Sequence, residues 1–255
     1  MADAVPSAMS VAAVAYAMLC VFGAAVVRGF SGFGFSLLAI TAISLIVPPV
    51  VVVPSIFLME VAASLHLLPS VWREVHWRAI GLLLAGCLVA TPLGVWLLAT
   101  VPVPPMQMAL GLVVLAAAVL LARGYALHAM PGRAATLATG AASGLLNGAF
   151  GIGGPPVILF FFASPAGVAA GRASVIAYFL GTDLIGLGFM LRQGLIGAPQ
   201  LWLALGFVPA LVGGVWLGAR GFRGMDQATF HRWTLRLLML LAALTTAQGI
   251  RSLAV

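Results

Sequence analysis

NGAFGIGGPP, residues 147–156, interrupts an apolar stretch of the chain with four glycines and two prolines. A second glycine-rich turn, RGFSGFGF at residues 28–35, opens the first half of the chain. Glycine adopts backbone conformations that end a helix, and proline lacks the N–H that a helix interior needs. Each turn therefore predicts a break between two helices. We name residues 28–35 the first tip and residues 147–156 the second tip.

The composition places most of the chain in lipid. Of its 255 residues, 63% are hydrophobic and 7% are charged, and the mean hydropathy is +1.19. Such a chain has too little polar surface for a water-soluble globule, so we expect helices that satisfy their own backbone groups. All twelve basic residues are Arg and are scattered over short loops, which argues against binding to nucleic acid. The first apolar run follows no basic segment and precedes no small-residue cleavage site, so we expect it to stay in the membrane.

Breaks at Gly, Pro and Arg divide the chain into ten apolar runs. They lie near residues 9–27, 33–47, 50–69, 79–99, 106–122, 134–150, 156–163, 173–191, 199–219 and 233–249. Run 156–163 covers only about half of a ~30 Å hydrocarbon core at ~1.5 Å per residue, and runs 33–47 and 134–150 are also short. The predicted fold class is an all-α integral membrane protein in which short runs form re-entrant or broken-helix hairpins.

The arginines favour an arrangement in which all ten runs alternate in direction. Alternation places nine arginines on or near one side and two, Arg192 and Arg251, on the other, with Arg28 set aside. Joining the first run to the second and the sixth to the seventh gives eight spans and a split of six against five, which orients nothing. Because cytoplasmic loops are rich in basic residues, we predict a multi-pass protein of the bacterial inner membrane with both termini in the periplasm.

Internal similarities indicate that the chain has two related halves. Gly23-Ala24-Ala25 and Phe33-Gly34 recur 117 residues later, and the GVWL segment at 94–97 recurs 120 residues later at 214–217. Two halves of five runs each must insert with opposite orientation, which is the inverted-repeat plan of secondary transporters. The predicted division is a first five-run repeat at 1–122, a cytoplasmic linker at 123–133 and a second five-run repeat at 134–255.

The two tips form the predicted binding site. Hairpins that enter from opposite faces would bring both tips together near the membrane midplane, where inverted-repeat transporters bind their substrates. Glycine lets backbone N–H groups approach a ligand, and each tip begins a helix whose N-terminus carries about half a positive charge. Two such ends predict a site for a small anion. Its candidate residues are Arg28, Gly29, Ser31, Gly32, Phe33, Gly34, Asn147, Gly148, Phe150, Gly151, Gly153, Gly154 and Pro155. The alternative role for these glycines is close helix packing.

The segments GFSGFGFSLLA (29–39) and GLLNGAFGIGGPPVILFF (144–161) resemble the paired signatures of the TauE/SafE sulfite exporter family of membrane permeases. The resemblance covers both halves, and NGAFGIGGPP is its more specific part. The resemblance implies a transporter of small sulfur-containing anions such as sulfite or organosulfonates, and the family name implies export. The residues themselves predict only an anion, and leave the exact substrate, the direction of transport and the coupling ion open.

Few ionisable residues lie at membrane depth, where each costs ~2.5–3.5 kcal/mol on insertion scales and needs a partner or a task. Arg28 lies at the first tip, while Glu60 and Asp183 lie near the middle of the third and eighth runs, in corresponding places of the two halves. One interpretation assigns Arg28 to the anion and Glu60 or Asp183 to proton coupling. The other pairs Arg28 with Glu60 and makes Asp183 a helix cap, and the two are not exclusive.

Two other functions remain open. The tips could line a passive anion channel. Gly29-Phe30-Ser31-Gly32 matches the GxSG pattern of rhomboid-like intramembrane serine proteases, but His66, the histidine closest to a membrane segment, is not at the depth of the tip. We therefore predict that the chain is not an enzyme. The histidines lack metal-ligand spacing and both cysteines lie in apolar runs, so we expect no metal and no cofactor. The predicted partners are a small anionic substrate and the lipid bilayer, and the oligomeric state is left open.

Overall fold

The computed structural model describes residues 11–31, 33–123, 131–162, 168–221, 236, 239–240 and 242–251. Within these ranges every regular element is helical, including a 3-10 turn at Trp72–Glu74 and a helical stretch at 242–251. The longer helices are α1 (Val11–Ser31), α2 (Phe35–Ile43), α3 (Pro49–Val71), α4 (Trp77–Thr100), α5 (Val103–Ala122), α6 (Arg133–Phe150), α7 (Gly154–Phe162), α8 (Val168–Arg192) and α9 (Ala198–Gly221). They coincide with the first nine predicted runs. Of the tenth run, the structure describes residues 236, 239–240 and 242–249, and the remaining residues lie outside the described ranges.

Six of the described helices are long and apolar enough to cross a membrane: α1, α3, α4, α5, α8 and α9. Helices α2 and α7 have nine residues each. Nine residues give a helix of ~14 Å, about half of a ~30 Å hydrocarbon core. The prediction of an all-α chain with several candidate spans and some short helices is confirmed for the described residues.

Glycines in the left-handed conformation separate the helices at both tips. Gly151 has a φ of 68° and ends α6, where its N–H donates to the Asn147 carbonyl at 2.8 Å. Gly34 has a φ of 90° and immediately precedes α2. A side chain at such a position costs ~1–2 kcal/mol. Both breaks therefore depend on the glycines that the sequence places there.

Helix α2 turns back along α1. The Tyr16 hydroxyl donates to the carbonyl oxygen of Ala42 at 3.0 Å, although the two residues are 26 positions apart. If α2 continued in the direction of α1, 26 residues of helix would place Tyr16 and Ala42 more than ~35 Å apart. At the second tip, Gly153 lies against Ser143, which belongs to the second-last turn of α6. The chain therefore reverses at each tip.

Helices α1 and α9 pack in parallel through small residues. An added Cβ at Gly214 would lie 2.6 Å from the Phe22 carbonyl oxygen, and one at Gly218 would meet the Val26 carbonyl. Contacts that advance together along both helices indicate a parallel pair. Backbones approach this closely in membranes where glycines replace larger side chains.

Helices α4 and α6 form a second parallel pair of the same kind. Gly86 faces the carbonyl of Leu137, and Gly94 faces the carbonyl of Leu145. An added Cβ at either glycine would be closer to partner backbone atoms than van der Waals contact allows. Four helices of the bundle are thus joined in two tightly packed pairs.

The directions of the helices place most of the described arginines at one end of the bundle. The His76 N–H donates to Ser174 Oγ at 3.0 Å, so α4 and α8 start at this end. Helices α3 and α9 finish there, because both border a groove that contains His66 and Arg220. The described arginines at this end include Arg73, Arg78, Arg123, Arg133, Arg172 and Arg220, and those at the opposite end include Arg192 and Arg251. Which membrane face each end occupies stays a prediction.

The buried C-terminal end of α2 has side-chain partners for its carbonyl groups. Gln107 Nε2 donates to the Ser44 carbonyl at 2.7 Å, and Gln248 Nε2 donates to the Leu45 carbonyl at 2.9 Å. The last carbonyls of a helix have no partner within the helix, and hydrocarbon supplies none. These two glutamines therefore allow a half-length helix to end inside the protein.

Candidate functional site

Arg28 is the centre of the polar cluster at the first tip. It is fully buried near the end of α1, and its NH2 donates to Ser64 Oγ at 2.7 Å. Its NH1 lies 2.6 Å from Glu60 Oε2, an ion pair whose alignment falls short of a hydrogen bond. The guanidinium carbon also lies 5.4 Å from the centre of the Phe179 ring. The interpretation that paired Arg28 with Glu60 describes this arrangement.

Glu60 links Arg28 to the start of α2. The N–H of Ser36, in the first turn of α2, donates to Glu60 Oε1 at 3.2 Å. Free N–H groups and the helix dipole make this end of a helix favourable for negative charge. The position at which the sequence predicted a bound anion is thus occupied by a carboxylate of the protein itself.

Asn147 has the central place in the polar cluster at the second tip. Its Nδ2 donates to Asp183 Oδ1 at 3.1 Å and to Thr182 Oγ1 at 3.3 Å. Its Oδ1 accepts the N–H of Gly153 at 3.1 Å, and Ser143 Oγ donates to the carbonyl of Gly153. One amide side chain therefore connects α6, the turn and α8.

Asp183 belongs to the same buried cluster as the first tip. Its side chain is 2% exposed, and its Oδ2 has no hydrogen-bond partner among the described residues. Its charge interacts with those of Glu60 and Arg28 in the buried interior. Two buried carboxyl groups therefore lie within electrostatic range of one guanidinium, and Glu60 contacts it directly.

The two tips meet around Phe179 and α3. An added Cβ at Gly154 would lie 3.1 Å from the Phe179 ring, the same ring that Arg28 approaches. An added Cβ at Gly151 would lie 3.1 Å from Phe57 of α3. Through these contacts, residues of both tips lie against the same neighbouring helices, α8 and α3.

Hydrogen bonds at the two tips correspond at an offset of 119 residues. Arg28 donates to Ser64 at the first tip, and Asn147 donates to Asp183 at the second. At the same offset Gly29, Gly32 and Gly34 align with Gly148, Gly151 and Gly153. The sequence similarities at offsets of 117 and 120 residues lie on either side of this value, but neither gives it.

This register differs from the expected correspondence between the two acids. At an offset of 119 residues, Asp183 aligns with Ser64, and Glu60 aligns with Phe179. Arg28 contacts both members of the latter pair, Glu60 directly and Phe179 through its ring. The reason for the difference is rotational: Glu60 and Ser64 are one helical turn apart on the same face of α3.

The predicted site residues divide into two groups. Gly29 and Gly148 lie in the α1–α9 and α4–α6 interfaces, where an added Cβ would meet partner backbone. The packing alternative describes the surroundings of these two glycines. The second group lies at the helix breaks and contains Gly34, Gly151, Gly153 and Gly154. Pro155 is buried in α7, and Phe33 and Phe150 are partly buried beside the breaks. The Ser31 side chain and Gly32 lie outside the described residues.

Three polar residues of the cluster were missed by the sequence analysis: Ser64, Ser143 and Thr182. Each is fully buried and makes a hydrogen bond to a tip residue. The available signal for Ser64 was its spacing of four from Glu60, which places both on one helix face. Within the described part of the chain, no group of three or more His, Cys, Asp and Glu residues is arranged to hold a metal.

Comparison with known proteins identifies the family. The description "Sulfite exporter TauE/SafE" matches residues 17–245, which include both tips and confirm the resemblance. A protein of Cupriavidus necator, described as "Probable sulfite/organosulfonate exporter TauE", is 29% identical over 210 residues, 81% of this chain and 82% of that protein. No solved structure matches the chain. Since the family match extends over most of its length, this chain belongs to the TauE/SafE sulfite exporter family.

Proposed function

We propose that this chain carries small sulfur-containing anions such as sulfite or organosulfonates across the membrane, with Arg28 binding them between the two tips. The supporting observation is that Arg28 is buried at the meeting point of the tips, with an Nε–H that has no hydrogen-bond partner among the described residues. A planar guanidinium with a free donor suits an oxyanion. The name of the Cupriavidus necator relative favours sulfur-containing anions over other classes.

Glu60 acts in this proposal as an internal competitor of the substrate. Its carboxylate contacts Arg28 NH1 and the Ser36 N–H, both of which an incoming anion would use. Protonation of Glu60 removes its negative charge and weakens both contacts. Anion binding is therefore expected to accompany proton binding.

Asp183 is the second candidate for proton coupling. Two carboxylates beside one guanidinium leave a net negative charge, which repels an anion strongly in a buried site. The unpartnered Oδ2 of Asp183 is available to take a proton without loss of its hydrogen bond to Asn147. We assign the coupling role to Glu60 and Asp183 together, because either proton removes the excess charge.

We further propose that residues 1–122 and 134–255 are inverted repeats joined by the linker 123–133. Exchange of the halves would convert the α1–α9 pair into the α6–α4 pair, and both pairs are parallel and packed through glycines. The same exchange relates α3–α9 to α8–α4, and both of these pairs are in contact. Such symmetry supports alternating access, in which the site opens to one face at a time.

A binding panel on the purified protein tests the proposed site. We expect sulfite and an alkanesulfonate to bind in preference to a carboxylate of similar size. Gly34→Leu and Gly153→Leu should abolish binding, since they fill the tips. Gly188→Leu is the matched control, because a side chain added there meets open space. Glu60→Gln should bind the anion more tightly at neutral pH. Undiminished binding in both tip variants would exclude the tips, and no binding of any anion by the wild type would exclude the proposal.

A passive channel remains the alternative function for the same tips. Saturation of flux at high anion concentration distinguishes a carrier from a channel. The protease alternative gains no support from the position of His66, which is exposed in a groove between α3 and α9. Membership of an exporter family also favours transport over catalysis.

We propose that the arginine-rich end of the bundle faces the cytoplasm of a bacterial inner membrane, with both termini in the periplasm. Positive charge in short loops favours the cytoplasmic side. A single cysteine introduced at Arg123, in a variant without native cysteines, tests this orientation. An impermeant thiol reagent added from the periplasm should leave it unlabelled, and labelling would reverse the proposed topology.

A further inference from the structure

The groove between α3 and α9 has a polar end and an apolar body. Its volume is about 500 Å³, and its apolar walls include Ala62, Ala63, Val208 and Val212. Val208 and Val212 are exposed, so the groove opens to the outside of the bundle. In a chain of this family the outside at this depth is lipid. An acyl chain is the occupant that fits such walls.

One end of the groove carries a guanidinium, an imidazole and an indole ring. Arg220 and His66 line it, and the Arg220 guanidinium carbon lies 3.7 Å from the centre of the Trp216 ring. A guanidinium stacked on an aromatic ring can still bind phosphate through the N–H groups at its edge. Tryptophan and arginine are also the residues found where hydrocarbon meets lipid headgroups.

The length of the groove matches one leaflet of a bilayer. Twelve residues separate Val208 from Arg220, which along a helix is ~18 Å. One leaflet contributes ~15 Å to a ~30 Å hydrocarbon core. A lipid with its phosphate at Arg220 would therefore have its acyl chain along the whole groove.

We infer that this groove binds one anionic phospholipid, with the headgroup at Arg220 and His66 and an acyl chain between α3 and α9. Charge complementarity selects an anionic headgroup over a zwitterionic one, because Arg220 is not balanced by an acid among the described residues that line the groove. The inference does not depend on the transported anion.

The groove lies beside the two helices that contact Arg28 and its neighbour Gly29. Ala63 in its wall precedes Ser64, which accepts a hydrogen bond from Arg28. Val215 in the opposite wall contacts Gly29 through its backbone. The lipid would thus contact both helices that hold Arg28.

Native mass spectrometry of the full chain in detergent tests the inference. The probes are phosphatidylglycerol and phosphatidylcholine with identical acyl chains. We expect the wild type to retain phosphatidylglycerol preferentially. Arg220→Gln should reduce that preference roughly fivefold, the effect of one basic group near anionic lipid. Arg133→Gln is the matched control, since Arg133 is exposed at the same end of the bundle but outside the groove.

A second variant and a soluble probe complete the test. Ala62→Trp fills the groove from an exposed position and should reduce retention of both lipids, with an unchanged melting temperature as the check on folding. Glycerol phosphate should not compete, because it lacks the acyl chain. Equal retention of both lipids, equal loss in Arg133→Gln, competition by glycerol phosphate, or a dimer mass with no lipid bound would each overturn the inference.

Discussion

Replacement of Arg28 by Gln should destabilise the protein strongly, because it leaves a buried carboxylate without its counter-ion. Arg28 and Glu60 have side chains that are 0% and 2% exposed, and their charged atoms lie 2.6 Å apart. Loss of one partner from a buried ion pair costs ~3–5 kcal/mol. Glutamine can still donate to Ser64, so we expect the lower part of this range. The remaining partner of Glu60 would be the Ser36 N–H.

The double variant Arg28→Gln with Glu60→Gln separates charge from packing. It removes both charges of the ion pair, so that Asp183 is the one buried carboxyl left without Arg28, and its two amides can hydrogen-bond to each other. We expect it to be more stable than Arg28→Gln alone, which is a non-additivity of the kind measured by double-mutant cycles. Unfolding midpoints in one detergent, with Arg133→Gln as an exposed control, provide the measurement. An Arg28→Gln midpoint equal to that of the control, or a double variant that loses the sum of both single effects, would refute the reasoning.

Two further predictions concern packing and buried carbonyls. Gly144→Leu should prevent close contact of α6 with Cys87 of α4 and lower the yield of folded protein, whereas Gly188→Leu, into open space, should not; fluorescence-detected gel filtration compares them. Gln107→Leu removes the donor to the buried Ser44 carbonyl at the end of α2 and should cost ~1–3 kcal/mol. An unchanged thermal midpoint for Gln107→Leu would show that another group satisfies this carbonyl.

The helices could be predicted from the sequence because lipid imposes a simple pattern. Apolar runs bounded by Gly, Pro and Arg gave α1 to α9 within a few residues. The short helices α2 and α7 could be predicted because their apolar runs contain too few residues to cross the hydrocarbon core. Gly34 and Gly151 marked the breaks, and both have the left-handed conformation that glycine adopts readily.

Side-chain partners could not be predicted in the same way. All faces of a membrane helix are apolar, so the pattern does not reveal which face is turned toward a neighbour. For this reason Gly29 and Gly148 were grouped with the site, although they lie in helix interfaces. The pairing of Arg28 with Glu60 was left open, because it depends on the rotation of α3 relative to α1. Ser64 and Thr182 were missed because hydroxyl groups are common in membrane helices.

The most direct measurement of transport through this cluster is uptake of a labelled alkanesulfonate into proteoliposomes with an imposed pH gradient. An alkanesulfonate keeps one negative charge at physiological pH, so the gradient acts on the protein and not on the ionisation of the substrate. We expect saturable uptake that the gradient drives in the wild type. In the double variant Glu60→Gln with Asp183→Asn, binding should persist while the response to the gradient is lost, because amides cannot exchange protons. Uptake that rises linearly with concentration, or an undiminished response to the gradient in the double variant, would contradict proton-coupled transport at this site.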